Sequence, residues 1–184
     1  EGSVVLDEGI TSIPSMNNIL LADNTISGSI MVSGSHIKAN LNGLKFFAFK
    51  EEIAKDHEKQ IVEIYESIAN SVPVTDGEPE ITPEIRAKDL YITKLTALGK
   101  KYPSWRVVVD PGNGAQTEAM PQVLELLGLR VIKLNADLTQ QFLARDTEVE
   151  SDFEELKSKV KEQSADFGVG YDSDGDRAVF VDEE

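Results

Sequence analysis

The stretch Tyr171-Asp172-Ser173-Asp174-Gly175-Asp176-Arg177 sets three carboxylates at alternate positions within five residues. Like charges this close repel, and a bound cation relieves the repulsion. Carboxylate oxygens suit hard cations such as Mg²⁺ or Ca²⁺, and Gly175 lets the backbone turn tightly. Two other readings compete. An EF-hand counted from Asp172 would have carboxylates at positions 1, 3 and 5 and Glu183 at 12, but Arg177 occupies position 6, where glycine belongs. Its flanks also read as strands. A solvated acidic turn is the second alternative, and the flanking Phe167, Val169, Val179 and Phe180 argue against it because buried flanks pin a loop. Arg177 beside the trio suits an anion that shares the site, since guanidinium is the usual partner of phosphate.

The second candidate is Ser33-Gly34-Ser35-His36, followed by Asn42-Gly43-Leu44-Lys45. A serine hydroxyl needs activation to act as a nucleophile or phosphoryl carrier. His36 and Lys45 are ionisable neighbours that could assist Ser35, and Gly34 leaves room for close approach. Asn42-Gly43 predicts a turn that brings Lys45 back toward the serine. Alone, this stretch reads first as an ordinary loop. His57 lies in a charged helical stretch and reads as a surface residue.

These loops need elements to position them. Val4–Leu6 reads as a short strand, and Pro14 and Ser15 open a helix near Met16–Ala22 with Ser15 as N-cap. Ile30–Val32 and Leu44–Phe49 read as strands. Over Lys50–Ala69 the apolar residues Ile53, Ile61, Ile64 and Ile68 have the spacing of an amphipathic helix. The Val72–Glu80 segment, with its prolines and glycine, is a connection. Thr82 and Pro83 then start a helix running to about Lys100. From Trp105 onward strands and helices alternate: strand Arg106–Val109, helix Thr117–Leu127, strand Arg130–Leu134, helix Asp152–Gln163 capped by Ser151, and strands Asp166–Tyr171 and Ala178–Val181. Such alternation predicts a parallel sheet with helices on its faces. Ligands then sit beyond the carboxyl ends of the strands, where the aspartate turn falls.

The 184 residues suffice for one large or two small domains, with 40% hydrophobic residues. The absence of cysteine excludes disulfides and thiolate metal sites and fits a cytoplasmic location. A net charge of −15 disfavours nucleic acid and anionic membrane surfaces as partners. An anionic substrate must therefore be drawn in by local cations. No apolar run reaches the ~20 residues of a membrane span, and the first residues lack the pattern of a signal peptide.

Taken together, the two loops, about 135 residues apart, resemble those of the α-D-phosphohexomutase family, which includes phosphomannomutases and phosphoglucomutases. The family's serine loop, approximately T-A-S-H-N-P-x-x-x-N-G-x-K with a G-S-H-I-P variant, is similar to Ser33-Gly34-Ser35-His36-Ile37-Lys38-Ala39-Asn40-Leu41-Asn42-Gly43-Leu44-Lys45. Its metal loop, D-x-D-x-D-R, matches Asp172 to Arg177. Gly9-Ile10 with Pro14, Val109-Asp110 with Asn113-Gly114, and Ala165–Gly168 extend the resemblance over nearly the whole chain. Lys38 stands where proline is usual and Ile37 where many members have asparagine. Ala144-Arg145-Asp146-Thr147 lacks the usual proline-rich loop.

The resemblance implies a fold of two mixed or parallel three-layer α/β domains, each incomplete. Residues 1–81 would form part of domain 1 with the phosphoserine loop, 82–102 an interdomain helix, and 103–184 domain 2 with the metal loop. It implies phosphotransfer between the 1- and 6-positions of a hexose phosphate through a phosphoserine and a bisphosphosugar intermediate. Ser35, with His36, Lys45 and Arg177, would be catalytic. Lys45 would be the general acid/base, its pKa lowered by the metal and Arg177. Asp172, Asp174, Asp176 and the Ser35 phosphate would hold one Mg²⁺, with hexose 1,6-bisphosphate as activator. Family members have about four domains, so the chain is expected to be a portion of a longer enzyme with little turnover, its partners the missing domains or, through open sheet edges, copies of itself. A non-catalytic metal- or phosphosugar-binding module is the alternative.

Overall fold

The computed structural model describes residues 4–34, 41–69, 81–102 and 104–182. Its second half is built on a four-stranded sheet in the order β7 (Arg130–Lys133), β6 (Arg106–Asp110), β8 (Phe167–Tyr171), β9 (Ala178–Val181). β6 runs parallel to β7 and to β8, as the alternating pattern predicts, but β9 turns back antiparallel to β8. The sheet is therefore mixed, and the reversal is the hairpin that carries the aspartates.

Val107, Val108 and Val109 are wholly buried because β6 is covered on both faces, which explains the unbroken apolar run. Val107 and Val109 pack with Val169 and Tyr171 on one face, against Met120 and Leu124 of α4 (Ala119–Leu126). Val108 faces the other way, onto Phe153, Leu156 and Val160, the last two on α5 (Glu154–Gln163). Glycines at 168 and 170 let α5 lie directly on β8. A Cβ at Gly170 would come 2.6 Å from the Phe153 ring, and one at Gly168 2.7 Å from Val160. Gly170→Val is therefore expected to destabilise the fold by about 2–3 kcal/mol through overpacking. Urea unfolding checks this, and a midpoint unmoved from the parent would show that α5 does not rest on β8.

The first half holds two small sheets. β1 (Val5–Asp7) pairs in parallel with β5 (Ile81–Pro83). β2 (Gly28–Val32), β3 (Leu44–Ala48) and β4 (Glu51–Glu52) form an antiparallel meander. Ile13, Met16 and Leu20 of α1 (Ile13–Ala22) bury Phe47 of β3. α3 (Arg86–Leu98) packs against both α1 and α4 and so joins the two halves. On the α4 side, its Ile92 is buried with Ala119 and Val123.

Several boundaries differ from the expectation, each for a physical reason. Helix α1 starts earlier, at Ile13: the cap is Ser12, whose hydroxyl accepts from the Ser15 amide, with Pro14 in the first turn. Thr82-Pro83 does not start a helix. Leu6 pairs with Thr82 and Asp7 with Pro83, so tertiary strand pairing overrides the local signal. The first turn of α3 is capped from elsewhere in the chain, the Glu8 carboxylate accepting from the Ala87 amide at 3.0 Å. Ser151 lies within a 3₁₀ turn, Glu150–Phe153, rather than capping α5. The helix expected over Lys50–Ala69 is α2, Lys55–Ile68, because Glu51 and Glu52 pair with β3 instead. No residue of α2 is buried: in its apolar stripe Ile61 is partly covered, and Ile64 and Ile68 are exposed. His57 is exposed on that helix, as expected. No helix among the described residues is long and apolar enough to cross a membrane.

Candidate active site

The aspartate loop joins β8 to β9, with Tyr171 and Ala178 as the last paired residues. The Gly175 amide donates to the Asp172 carbonyl at 3.2 Å, and Gly175 takes φ +69°, a left-handed turn that glycine adopts without strain. Strands rather than helices flank the loop, which excludes the EF-hand. The solvated acidic turn is excluded too: Asp172 is wholly buried and Asp174 is 3% exposed.

One oxygen from each of Asp172, Asp174 and Asp176 lies within 4.8 Å of the others. An all-carboxylate set of this reach fits a hard divalent cation and offers nothing to a soft one. Two cations already face the trio. Arg177 donates its Nε to Asp172 Oδ2 at 2.9 Å and its backbone N–H to Oδ1 at 3.2 Å. Its Nε also lies 3.6 Å from Asp176 Oδ1. Lys45 Nζ donates to Asp174 Oδ2 at 2.9 Å and reaches Asp176 Oδ2 at 3.5 Å. Among the described residues, these three carboxylates against two cations leave one formal negative charge.

The electrostatics separates the aspartates. Burial pushes the Asp172 pKa up to about 6; the Arg177 amide opposes this, and the charges of Asp174 and Asp176 add to it. Burial acts on Asp174 too, but the hydrogen bond and charge of Lys45 and the Ser33 hydroxyl outweigh it and hold its pKa below the ordinary value. Burial works against the Lys45 ammonium, yet Asp174 and Asp176 dominate and raise its pKa. The lowered value implied for Lys45 is thus not what its protein neighbours produce. It sits against two carboxylates, and their attraction favours the charged form.

Lys45 projects from β3, opposite Met31 of β2. Below it, Ser33 and Gly43 exchange both backbone hydrogen bonds, at 3.0 and 3.1 Å, and close the neck of the serine loop. Gly43 thus continues the pairing of β2 with β3, and Lys45 reaches the aspartates from the strand above. Ser33 at the neck donates its hydroxyl to Asp174 Oδ2 at 3.0 Å. Ser35 and His36 lie outside the described residues, so Lys45 and Arg177 are the two expected catalytic residues that the structure brings to the trio. Ser33 was missed: a second serine two positions before the expected nucleophile carries no signal of its own.

The halves are also joined through the backbone. The Ile13 amide, at the start of α1, donates to the Asp174 carbonyl at 3.0 Å, while within the second half the Ala115 amide, after β6, donates to the Ser173 carbonyl at 2.9 Å. A cavity of about 180 Å³ opens between the halves beside Asp174, lined in part by Gly9, Thr11, Met31, Ser33 and Ala115. Because Ser33 is held by both Gly43 and Asp174, Ser33→Ala should loosen the contact between hairpin and aspartate loop. The expected result is a loss of about 1.5 kcal/mol, the low end for a hydrogen bond to a charged group, read as a lower urea midpoint. No change would remove Ser33 from the account.

A β-hairpin of three aspartates beyond a mixed sheet, met by a lysine from a second α/β unit, defines an α/β protein with a candidate cation site. The comparisons make the class specific. Residues 89–184 match the α/β/α domain II of phosphoglucomutase/phosphomannomutase, and residues 1–72 match domain I. The chain belongs to the phosphoglucomutase/phosphomannomutase family. It is 30% identical over 184 residues to the phosphomannomutase/phosphoglucomutase of Pseudomonas putida, covering 98% of this chain and 38% of that protein. It is 31% identical to the phosphoglucosamine mutase of Natranaerobius thermophilus, covering 96% of this chain and 40% of that one. The crystal structure of a phosphoglucomutase/phosphomannomutase family protein from Burkholderia thailandensis shares the fold, with a TM-score of 0.78 at 24% identity over 99% of this chain and 41% of that chain. The chain thus spans about two fifths of the length of these relatives.

Proposed function

We propose that this chain carries the phosphoserine and cation sites of a phosphohexomutase, an isomerase that moves phosphate between the 1- and 6-positions of a hexose phosphate. The observation that carries the reading is the meeting of Lys45 Nζ and Ser33 Oγ on one oxygen of Asp174, from 129 and 141 residues away in sequence. It sets the neck of the serine loop against the carboxylate trio, with Ser35 two residues further along. The family membership supports the same pairing of parts.

In this reading Ser35 carries the phosphoryl group. A sugar hydroxyl attacks its phosphorus, the bond from phosphorus to Ser35 Oγ breaks, and the proton lost by the hydroxyl balances the one gained by Oγ. The resulting bisphosphate reorients and returns its other phosphate to Ser35. Lys45, held charged by Asp174 and Asp176, is poised to give a proton to the departing oxygen. To take a proton from an attacking hydroxyl it must first lose part of that attraction. Arg177 and His36 position the phosphoserine or the substrate. Asp172, Asp174 and Asp176, with the Ser35 phosphate, would hold Mg²⁺, which when bound supplies positive charge against the phosphoryl oxygens. The charge count among the described residues agrees: a divalent cation added to the net charge of −1 leaves +1, which suits an anion.

The test is phosphate acceptance. The chain is incubated with Mg²⁺ and a hexose 1,6-bisphosphate, and the intact mass and its fragments are recorded. One phosphoryl group at Ser35, absent in Ser35→Ala, is expected. Cation binding that Asp174→Asn removes, without any phosphate on Ser35, would instead identify a binding module.

A further inference from the structure

The turn after β6 presses on the aspartate loop from behind. A Cβ at Gly114 would lie 2.7 Å from the Ser173 carbonyl oxygen, so only glycine allows that approach. Two residues on, Gln116 is 1% exposed and donates its Nε2 to the Gly175 carbonyl at 2.9 Å. A Cβ at Gly175 would lie 2.5 Å from Gln116 Cγ, so the side chain and the apex of the loop are in contact as well as hydrogen-bonded. Three successive carbonyls of the loop are thereby tied down from outside it. Ser173 accepts from the Ala115 amide, Asp174 from the Ile13 amide, and Gly175 from Gln116. Two of those donors are main chain and exist whatever the residue. The third exists only because residue 116 is a glutamine.

Its remaining chemistry argues that this choice serves the loop rather than the core. Gln116 Oε1 is buried and makes no hydrogen bond of good geometry, although the Tyr91 hydroxyl lies close to the side chain. A buried amide satisfied on one side only is less favourable than an apolar side chain of the same shape. Packing alone would thus be served as well by methionine. What glutamine adds is a fixed direction for the Gly175 carbonyl. That peptide links the carboxylates of Asp174 and Asp176.

We infer that Gln116 is a positioning residue for the cation site, holding the apex of the aspartate loop so that its three carboxylates converge. The inference rests on the reading of the trio as a cation site. Gln116 acts through Gly175 and touches no reacting atom.

Mn²⁺ titration of the full chain, followed by electron paramagnetic resonance, tests it with Gln116→Met and Asp174→Asn in parallel. Gln116→Met should bind Mn²⁺ about tenfold more weakly, the scale of losing a partner behind a metal ligand, and give a broadened bound spectrum. Its circular dichroism should match the parent. Loss of binding in Asp174→Asn with parent affinity in Gln116→Met would overturn this inference and leave the cation site standing. If the parent fails to bind Mn²⁺, or Asp174→Asn binds as well as the parent, both readings fall. Should Gln116→Met not fold, the unaltered protein decides by NMR. The Gln116 side-chain amide protons should exchange far more slowly than those of the exposed Gln60 and shift on addition of Mg²⁺. Exchange as fast as that of Gln60, or no shift, would refute the role.

Discussion

Asp172→Asn and Asp174→Asn should both abolish divalent-cation binding, yet shift the stability of the cation-free protein in opposite directions. Each substitution removes one of three converging carboxylates. Losing a direct ligand should exceed the loss caused by an outer partner, so affinity for Mg²⁺ or Mn²⁺ should fall by about 100-fold or more. Without cation the two aspartates differ. Asp172 is wholly buried with its pKa raised to about 6, so its charge opposes folding at neutral pH. Neutralising it should stabilise the fold by on the order of 1–2 kcal/mol, less than the full shift because asparagine keeps only part of the Arg177 interaction. Asp174 is held ionised by Lys45 and Ser33, so its charge favours folding. Removing that charge should cost about 1–2 kcal/mol, below the usual range for a broken buried pair because Lys45 is a quarter exposed and keeps Asp176. Urea unfolding in chelator measures both signs, and calorimetric titration measures the affinity. Shifts of the same sign would show that the surroundings of the trio do not distinguish the two residues.

What could be read from the residues beforehand follows the range of the interactions involved. The aspartate loop was legible because its ligands, its turn glycine and Arg177 are contiguous, and the apolar strands on either side announce a hairpin. The valines of β6 were legible because burial on both faces leaves an unbroken apolar run. Thr82-Pro83 misled for the opposite reason. A cap signal describes a few residues, whereas the pairing of Thr82 with Leu6 and the capping of α3 by Glu8 join positions more than 70 residues apart. The same limit hid Ser33 and Gln116. Neither belongs to a local pattern of ligands, and each acquires meaning only when the fold brings it to Asp174 or Gly175. Lys45 was singled out as an ionisable neighbour of Ser35, the resemblance added the role of general acid/base, and its partner carboxylates came from the structure alone. Even so, its raised pKa reverses the direction that the resemblance implied, because its nearest neighbours are carboxylates.

The slope that Asp172 gives the pH dependence of stability should vanish when a cation is supplied. The Asp172 pKa is raised by folding to about 6 from an ordinary 3.8. Between those values the folded protein retains a proton that the unfolded chain has released. In chelator the contribution of this group is therefore fully present below about pH 4 and lost as pH rises through about 6, at up to ~1.4 kcal/mol per pH unit. Asp174 runs the other way, since its pKa is lowered. Its contribution is present above the ordinary carboxylate value and lost only in stronger acid, so it leaves the window from 4 to 6 to Asp172. The acid relief of a net charge of −15 slopes in the same direction as Asp172, as does partly buried Glu8, whose pKa is also raised, first by burial. Asp172→Asn separates these effects, because it retains the general slope and removes only the part due to residue 172. With Mg²⁺ saturating, binding selects the ionised trio, so affinity should rise by up to about tenfold per pH unit through the same window and level off once Asp172 is ionised. Thermal melts from pH 4 to 7.5, with chelator and with Mg²⁺, for the parent and Asp172→Asn, make the comparison. Parallel profiles for the two proteins in chelator would mean that Asp172 does not hold its proton in the fold. The charge separation within the trio would then have to come from Lys45 and Arg177 alone.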